Sequence, residues 1–311
     1  MRILFMGTPE IAADCLRYLL AHGREVVGVV CQPDKPKGRG HSLTPPPTKV
    51  LAEAHALPVC QPSTLRDDGF LSWLAEVNPD LILVVAYGKI LPRAVLEYPR
   101  YGCLNLHVSL LPKYRGAAPM QRAVMAGETV SGVSVMYMNE GMDTGDVMFQ
   151  QSFPIAESDD FGAVHDKAAA MGAPLLNEAV DALLAGNAPR TPQDQSQATM
   201  APKIEKEECH LNLTKSAAEL FHIVRGLSPA PLAYVLTEKG ESLKIAKARV
   251  VDGEGKAGQV IALSTEGEGA VVVACGEGAL AITELVPQGK GKMSAAAYIR
   301  GRKIAPGQVL S

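Results

Sequence analysis

The sequence predicts an α/β fold with a mostly parallel, Rossmann-like sheet, followed by a small β-rich domain. Apolar strand patterns alternate with helical patterns from Arg2 onward, and residues 81–86 form an uninterrupted apolar run. Such a run is typical of a parallel strand buried on both faces. Closely spaced short strands with glycine-rich turns predict a small barrel in the second domain. These strand-like runs begin near Leu232, Lys244, Gly258, Ala270 and Ala279.

Length and composition indicate a two-domain globular protein. The chain has 311 residues, of which 47% are hydrophobic and 20% charged. No apolar run reaches the roughly 20 residues of a membrane span, and residues 1–5 enter a strand pattern without a signal-peptide layout. The six cysteines are scattered, which predicts reduced thiols and neither a disulfide framework nor a zinc site. A net charge of −3 argues against general affinity for nucleic acid.

The chain begins with a strand–helix–strand pattern. Residues 2–6 read as a strand, Thr8 as a helix cap, Pro9 as the first helical residue and residues 26–31 as the second strand. Such a unit pairs its strands in parallel with a right-handed crossover. The glycine turn at its start is not G-x-G-x-x-G, so it predicts no dinucleotide site.

The stretch at residues 103–121 carries the candidate chemistry. Asn105 and His107 alternate with leucines, so both should project from the same face of one strand. Proline and glycine then end the strand in a loop, and polar residues at such strand ends are where open α/β sheets bind ligands. A glycine-rich turn downstream supplies Asp143. The three residues offer an amide donor, a titratable imidazole and a carboxylate that can hold and charge it.

The combination is more specific than its parts, since each residue alone is commonly a turn, core or capping residue. The N-x-H pattern, an SLLP loop at residues 109–112 and a G-x-D-x-G turn at residues 141–145 resemble the formyltransferases that use 10-formyltetrahydrofolate. The longer stretch SLLPKYRGAAPMQ is most similar to the methionyl-tRNA formyltransferases, and the resemblance covers nearly the whole chain. It implies a formyltransferase domain at residues 1–187, a linker at residues 188–205 and an OB-like, tRNA-binding barrel at residues 206–311.

The resemblance implies a role for each group of residues. Asn105, His107 and Asp143 are the expected catalytic residues. No metal is implied, and the sequence contains no ligand spacing for one. The expected folate contacts form a loop and the walls of the pterin pocket: Ser109, Leu110, Leu111, Pro112, Ile90, Leu91 and Glu140.

A long connection after the second strand carries the first group of expected tRNA contacts. Residues 32–47 exceed the usual length of such a loop and place cationic residues among Pro and Gly, which predicts a mobile cationic arm. Composition alone fits a solvated loop equally well. In the resembling family the arginine of an inserted G-R-G loop enters the tRNA acceptor end, and Arg39 matches it. The expected tRNA contacts are Lys35, Lys37 and Arg39 and, at a K-x-x-K entry to the second domain, Lys203 and Lys206.

The expected reaction is attack by the amine of initiator methionyl-tRNA on the formyl carbon of 10-formyltetrahydrofolate. Asn105 would donate to the formyl oxygen, and Asp143 would take the amine proton. His107 would add a second donor or pass a proton to the folate nitrogen. Three alternatives remain open: a small amine acceptor such as a sugar nucleotide or glycinamide ribonucleotide, hydrolysis of the folate, and RNA binding without catalysis. We further expect a cytoplasmic protein that acts as a monomer, with no membrane contact.

Three other residues bear on the resemblance or lie near the expected catalytic residues. Val108 follows the histidine where the resembling family usually has a small residue or proline, and Ala230 stands where an aromatic residue is common. Neither departure changes the catalytic interpretation. We interpret Cys103 as a buried strand cysteine and not as a nucleophile.

Overall fold

The structure, a computed structural model, describes residues 1–37, 42–301 and 303–311. These residues form two compact units, and each unit is built from several segments of the chain. The first unit comprises Met1–Pro119, Ser131–Phe153 and His165–Pro202. The second comprises Met120–Val130, Pro154–Val164 and Lys203–Ser311.

The first unit is organised around a seven-stranded sheet. The strands up to residue 154 are β1 (Ile3–Gly7), β2 (Val26–Val30), β3 (Lys35–Lys37), β4 (Ser42–Thr44), β5 (Val59–Cys60), β6 (Leu81–Val85), β7 (Cys103–His107), β8 (Val130–Tyr137) and β9 (Val147–Pro154). The sheet order is β5-β2-β1-β6-β7-β8-β9. β1 is parallel to β2 and β6, and β6 is parallel to β7, whereas β7 and β8 are antiparallel. The predicted mostly parallel α/β sheet is confirmed.

The buried strands explain why the sequence pattern was informative here. All residues of β1 and β6 are buried, as expected for central strands covered on both faces. The helices up to residue 185 are α1 (Glu10–Ala21), α2 (Pro47–Ala54), α3 (Asp68–Val77), α4 (Arg93–Leu96), α5 (Pro119–Met125) and α6 (Phe161–Ala185). The cap predicted at Thr8 is wrong, because α1 begins at Glu10 and the Thr8 hydroxyl instead accepts the backbone N–H of Gln32 at 3.2 Å.

Strands β3 and β4 form a separate antiparallel ribbon at the ends of the predicted arm. Lys35 pairs with Thr44 and Lys37 pairs with Ser42, whereas the sequence predicted a mobile connection. Asp34, the residue before β3, forms an ion pair with Lys49 of α2, with Lys49 Nζ 2.9 Å from Asp34 Oδ2. This ion pair connects the start of β3 to α2. Arg39 lies outside the described residues.

The second unit contains a six-stranded antiparallel sheet with order β10-β11-β14-β13-β12, and β15 pairs with β14. Its strands are β10 (Ala233–Leu236), β11 (Ser242–Val251), β12 (Val260–Ser264), β13 (Ala270–Ala274), β14 (Ala279–Pro287) and β15 (Met293–Ser294). Helices α7 (Ala217–Leu227) and α8 (Ala295–Arg300) accompany the sheet. A reciprocal capping box between Ser216 and Glu219 begins α7. The prediction of a second, β-rich domain is confirmed.

Two short 3-10 helices, Gln195–Gln197 and Lys206–Cys209, complete the regular structure. None of the helices within residues 1–37, 42–301 and 303–311 combines the length and the apolar character that crossing a bilayer would require.

Candidate active site

Strand β7 places Asn105 and His107 on one face of the sheet. It pairs with β6 and β8 without a register shift, so its side chains alternate regularly between the two faces. Leu106 points to the other face, where a Cβ added to Gly172 of α6 would lie 2.6 Å from its Cδ2 atom. The two polar residues therefore project together at the carboxyl end of β7.

The carboxamide of Asn105 is available to a ligand. The residue is half-buried, and its side chain makes no hydrogen bond with any residue that the structure describes. Its two N–H donors and its oxygen therefore have no partner within residues 1–37, 42–301 and 303–311. An amide that is held on a rigid strand and lacks a protein partner suits the binding of a developing negative charge.

Cys103 lies on the same strand but has a different character. Its Sγ lies 3.7 Å from the carbonyl oxygen of Val95, and burial raises the pKa of the thiol to about 12. The sulfur is therefore a neutral thiol near pH 7 and a poor nucleophile. The interpretation of Cys103 as a buried strand cysteine is confirmed.

The two ring nitrogens of the buried His107 have different partners. Nε2 lies 2.9 Å from the carbonyl oxygen of Tyr114. Because a carbonyl can only accept, Nε2 must carry a proton. Nδ1 lies 3.7 Å from Oδ2 of Asp143, within the range of an ion pair but longer than a hydrogen bond. The two nitrogens therefore differ in environment, since Nε2 is held by a carbonyl and Nδ1 faces a carboxylate.

Asp143 is fixed by its backbone and by its side chain. Its φ angle is 53°, in the left-handed region, and its Oδ2 accepts the backbone N–H of Gly116 at 2.8 Å. Gly116 has a φ of 120°, and a Cβ at this position would lie 2.8 Å from the carbonyl oxygen of Ala201. Gly145 is equally constrained, since a Cβ there would lie 1.7 Å from the carbonyl oxygen of Tyr137. Both glycines are therefore required by close backbone approaches.

The SLLP loop is held by polar residues that the sequence analysis missed. Ser134 of β8 donates its hydroxyl to the carbonyl of Ser109 at 2.6 Å and accepts the N–H of Leu111 at 3.2 Å. Gln150 of β9 donates to the carbonyl of Leu111 at 2.8 Å and to the Ser134 hydroxyl at 2.9 Å. The Ser109 hydroxyl closes the loop by donating to the carbonyl of Lys113 at 2.7 Å. The signal that could have revealed these residues was the presence of polar residues within otherwise apolar strands.

The other residues expected to line a folate pocket differ in exposure. Leu91 is buried in the apolar cluster that also contains Cys103, whereas the Ile90 side chain is 76% exposed. Glu140 is exposed. The pKa of Arg93, which follows these apolar residues, is raised by its hydrogen bond to Glu97 and further by the charge of Glu140.

Residues 191–201, within the predicted linker, contact the loop that carries Tyr114 and Arg115 and the start of β9 at Val147. The backbone N–H of Arg115 donates to the carbonyl of Thr199 at 2.8 Å, and Ala201 donates to the carbonyl of Arg115 at 2.7 Å. The Thr199 hydroxyl accepts the N–H of Tyr114 at 2.8 Å. Thr191 exchanges two backbone hydrogen bonds with Val147. Backbone hydrogen bonds therefore fix this segment against Arg115 and Val147.

The residues expected to bind tRNA fall in both units. Lys35 is exposed on the ribbon of β3 and β4, and Lys37 belongs to β3. Lys203 and Lys206 are exposed residues of the second unit, and Lys206 begins a 3-10 helix. None of the described residues forms a cluster of three or more His, Cys, Asp or Glu side chains that could hold a metal ion.

Two family models and several known proteins match the chain. Residues 1–180 match a formyl transferase model, and residues 203–303 match a formyl transferase C-terminal domain model. A methionyl-tRNA formyltransferase of Moorella thermoacetica is 46% identical over 312 residues, covering 100% of this chain and 99% of that protein. One from Stutzerimonas stutzeri is 47% identical, covering 100% and 98%. HypX from Aquifex aeolicus, solved in complex with tetrahydrofolic acid, has a similar fold, with a TM-score of 0.66, 21% identity and coverage of 96% and 47%.

Proposed function

This chain belongs to the formyl transferase family, and we propose that it formylates the amino group of initiator methionyl-tRNA, with 10-formyltetrahydrofolate as the donor. The product would be N-formylmethionyl-tRNA for translation initiation. The observation that carries the proposal is the free Asn105 amide beside the His107–Asp143 pair, at the carboxyl end of β7. A small amine acceptor is not favoured, because full-length relatives carry the methionyl-tRNA formyltransferase name and residues 203–303 match the C-terminal model.

In this proposal Asn105 binds the formyl oxygen. Attack by the amine forms the new C–N bond and moves negative charge onto that oxygen, and the charge returns when the bond to the folate nitrogen breaks. The Asn105 side chain has no described hydrogen-bond partner to give up, so its N–H can meet the charge as it develops. Removing one such donor typically costs about 10²- to 10³-fold in rate.

His107 and Asp143 handle the protons of the reaction. The attacking amine must lose a proton, and the departing folate nitrogen must gain one. Asp143 would take the amine proton, directly or through a water molecule, while protonated Nδ1 of His107 would supply a proton to the folate nitrogen or a hydrogen bond to the formyl oxygen. The 3.7 Å between His107 Nδ1 and Asp143 Oδ2 supports this division of the two proton transfers, because no short hydrogen bond joins the two groups and each can bind a substrate.

The remaining contacts are part of the same proposal. The SLLP loop at residues 109–112, with Ile90, Leu91 and Glu140, would hold the folate. The exposed side chain of Ile90 offers an apolar wall for the pterin ring. The tRNA contacts would be Lys35, Lys37, Arg39, Lys203 and Lys206. One chain supplies every proposed catalytic group, which supports a monomer, and a role in translation initiation supports a cytoplasmic location.

The test compares formyl transfer to initiator and elongator methionyl-tRNA. We expect transfer to the initiator alone, and a fall of about tenfold or more in kcat/KM for Arg39→Ala, because a guanidinium can make bidentate contacts that alanine cannot. Arg66→Ala is the control, since Arg66 is an exposed arginine outside the arm. Consumption of 10-formyltetrahydrofolate without a formylated tRNA product would overturn the proposed acceptor and indicate a small amine or water instead.

A further inference from the structure

The side-chain amide of Gln193 joins two loops, one that carries Asp143 and one that carries Arg115. Its Nε2 donates to the carbonyl of Asp143 at 2.9 Å and to the carbonyl of Gly145 at 2.6 Å. Its Oε1 accepts from Nε of Arg115 at 3.0 Å and from Nη2 of Arg115 at 2.6 Å. Both donors and both lone pairs of the amide are therefore used. One loop carries Asp143, and the other carries Arg115 and the Gly116 N–H that binds the Asp143 carboxylate.

Arg115 determines which way the Gln193 amide points. A guanidinium can only donate, so it selects the amide oxygen and turns the NH₂ group toward the Asp143 loop. Arg115 is 5% exposed, and its third side-chain bond, from Nη1 to Oε1 of Gln195, is 2.8 Å long. Among the residues that the structure describes, no carboxylate pairs with this buried cation. Its side-chain partners are the two glutamine amides, which suits a role in orienting them.

The backbone of Asp143 needs such an external support. A non-glycine residue in the left-handed region is disfavoured by about 1 kcal/mol or more and persists only where its surroundings hold it. The two carbonyls that flank this conformation, those of Asp143 and Gly145, are the ones that Gln193 binds. The direction of the Asp143 carboxylate, and hence its distance from His107, depends on this backbone.

We propose that Gln193 is a positioning residue for Asp143, with Arg115 fixing the orientation of the Gln193 amide. Gln193 touches neither substrate. It acts by keeping Oδ2 of Asp143 on the Gly116 N–H and within reach of Nδ1 of His107. The inference rests on the proposed transfer reaction for its kinetic readout, but not for its structural one.

The substitution Gln193→Glu separates this role from simple packing. Glutamate has the same shape and would form an ion pair with Arg115, but it places an oxygen where the carbonyls of Asp143 and Gly145 need a donor. We expect kcat for formyl transfer to fall about 10- to 100-fold, the size of effect that a small misplacement of a reacting group produces. The KM values for folate and tRNA should change less than about threefold, because no substrate contact is lost.

The matched control is Gln197→Glu, the same chemical change four residues along the chain. Among the residues that the structure describes, the Gln197 side chain bonds only to Asp194 of its own turn, so the kcat of this variant should equal that of the parent. Arg115→Lys provides a second variant, because lysine keeps the charge but cannot grip the amide oxygen with two parallel donors. It should lower kcat several-fold with unchanged KM values. A KM increase at constant kcat for Gln193→Glu would overturn the proposal, since it would indicate a substrate contact.

Crystal structures of the parent and of the Gln193→Glu variant give a readout that does not depend on activity. We expect the contact between Gly116 N and Asp143 Oδ2 to open beyond hydrogen-bond distance in the variant and to persist in Gln197→Glu. An unmoved Asp143 carboxylate with kcat within twofold of the parent would refute the positioning role. If the parent transfers no formyl group, the proposed function fails, and the position of the carboxylate alone decides the inference.

Discussion

Nδ1 of His107 faces Oδ2 of Asp143 across 3.7 Å, while Nε2 of the same ring is held by the Tyr114 carbonyl at 2.9 Å. The ring is thus anchored through one nitrogen and can exchange a proton through the other. Because the gap exceeds a hydrogen bond, neither the imidazole nor the carboxylate is held by a short bond to the other. The predictions for Asp143 and Asn105 follow from this arrangement.

The substitution Asp143→Asn should separate charge from hydrogen bonding. The asparagine side chain would keep an oxygen for the Gly116 N–H but would lose the negative charge opposite His107. We expect kcat to fall about 10²- to 10⁴-fold, the usual contribution of an acid or base. Single-turnover formyl transfer measures this. Asp146→Asn, which alters a nearby carboxylate that pairs with Arg190, should stay within about threefold of the parent. Equal activity of the two variants would contradict the role of Asp143.

Asn105→Ala should lose activity without losing stability. No internal hydrogen bond of the described chain depends on the Asn105 side chain, so the free energy of unfolding should change by less than about 1 kcal/mol. The rate should fall about 10²- to 10³-fold if the amide binds the formyl oxygen. Urea denaturation and kcat are measured on the same preparation, with Asn187→Ala, at an exposed position, as the control. A destabilised but active variant would show that the amide is structural.

Ser134→Ala should destabilise the SLLP loop. It leaves the Ser109 carbonyl and the Leu111 N–H without the hydroxyl that now serves both. The expected loss is about 1–3 kcal/mol in the free energy of unfolding, because buried groups would lack partners. Ser131→Ala on the same strand is the control. Ser131 is also buried, but its hydroxyl makes no hydrogen bond with a described residue. Similar denaturation midpoints for both variants would refute the prediction.

The second unit should lose one ion pair on acidification. Hydrogen bonds from Arg122 to Glu208, at 2.6 and 2.9 Å, lower the pKa of the Glu208 carboxyl. A carboxyl whose pKa is lower in the folded state stabilises the fold above its unfolded pKa, and this stability is lost as the pH falls through the folded pKa. Glu208→Gln should therefore lower Tm by about 1–3 °C at pH 7, since the pair is partly exposed.

The difference in Tm between the parent and Glu208→Gln should vanish at low pH, once the pH has fallen through the lowered pKa of the folded-state Glu208 carboxyl and the parent is protonated there too. Thermal melts across this pH range measure it. Glu207→Gln is the matched control, because the neighbouring Glu207 makes no ion pair with a described residue. A difference that persists at low pH would mean that packing, and not charge, separates parent and variant.

The sequence predicted the parts of the fold and site that depend on local patterns. The apolar run of β6 indicated a buried central strand, and the alternation at residues 104–108 indicated that Asn105 and His107 share a face. These predictions succeeded because strand periodicity depends on residues adjacent in the chain. Asp143 was proposed as the partner of His107 from its glycine-rich turn and its charge, and then from the family resemblance, and not from periodicity.

The missed features depend on contacts between distant residues. Arg115 and Gln193 are 78 positions apart, and neither side chain belongs to a periodic pattern. Thr8 shows the competing effect, because its hydroxyl bonds Gln32, 24 positions away, instead of capping α1. The ribbon of β3 and β4 has three residues in each strand, too few to show alternation. Tertiary hydrogen bonds, invisible to propensity, decided the cases of Gln193 and Thr8, whereas the shortness of its strands hid the ribbon.

The backbone pairing of residues 191–201 has a consequence for truncation of the gene. A fragment that stopped at the end of α6 would keep every proposed catalytic side chain but would lose the partners of Val147, Tyr114 and Arg115. The shortest autonomous catalytic fragment must therefore extend at least through Ala201. Insertions should be tolerated between α6 and Thr191, where the chain is mostly exposed, and not beyond. The number of residues between α6 and Thr191 can thus vary, whereas the number from Thr191 to Ala201 cannot.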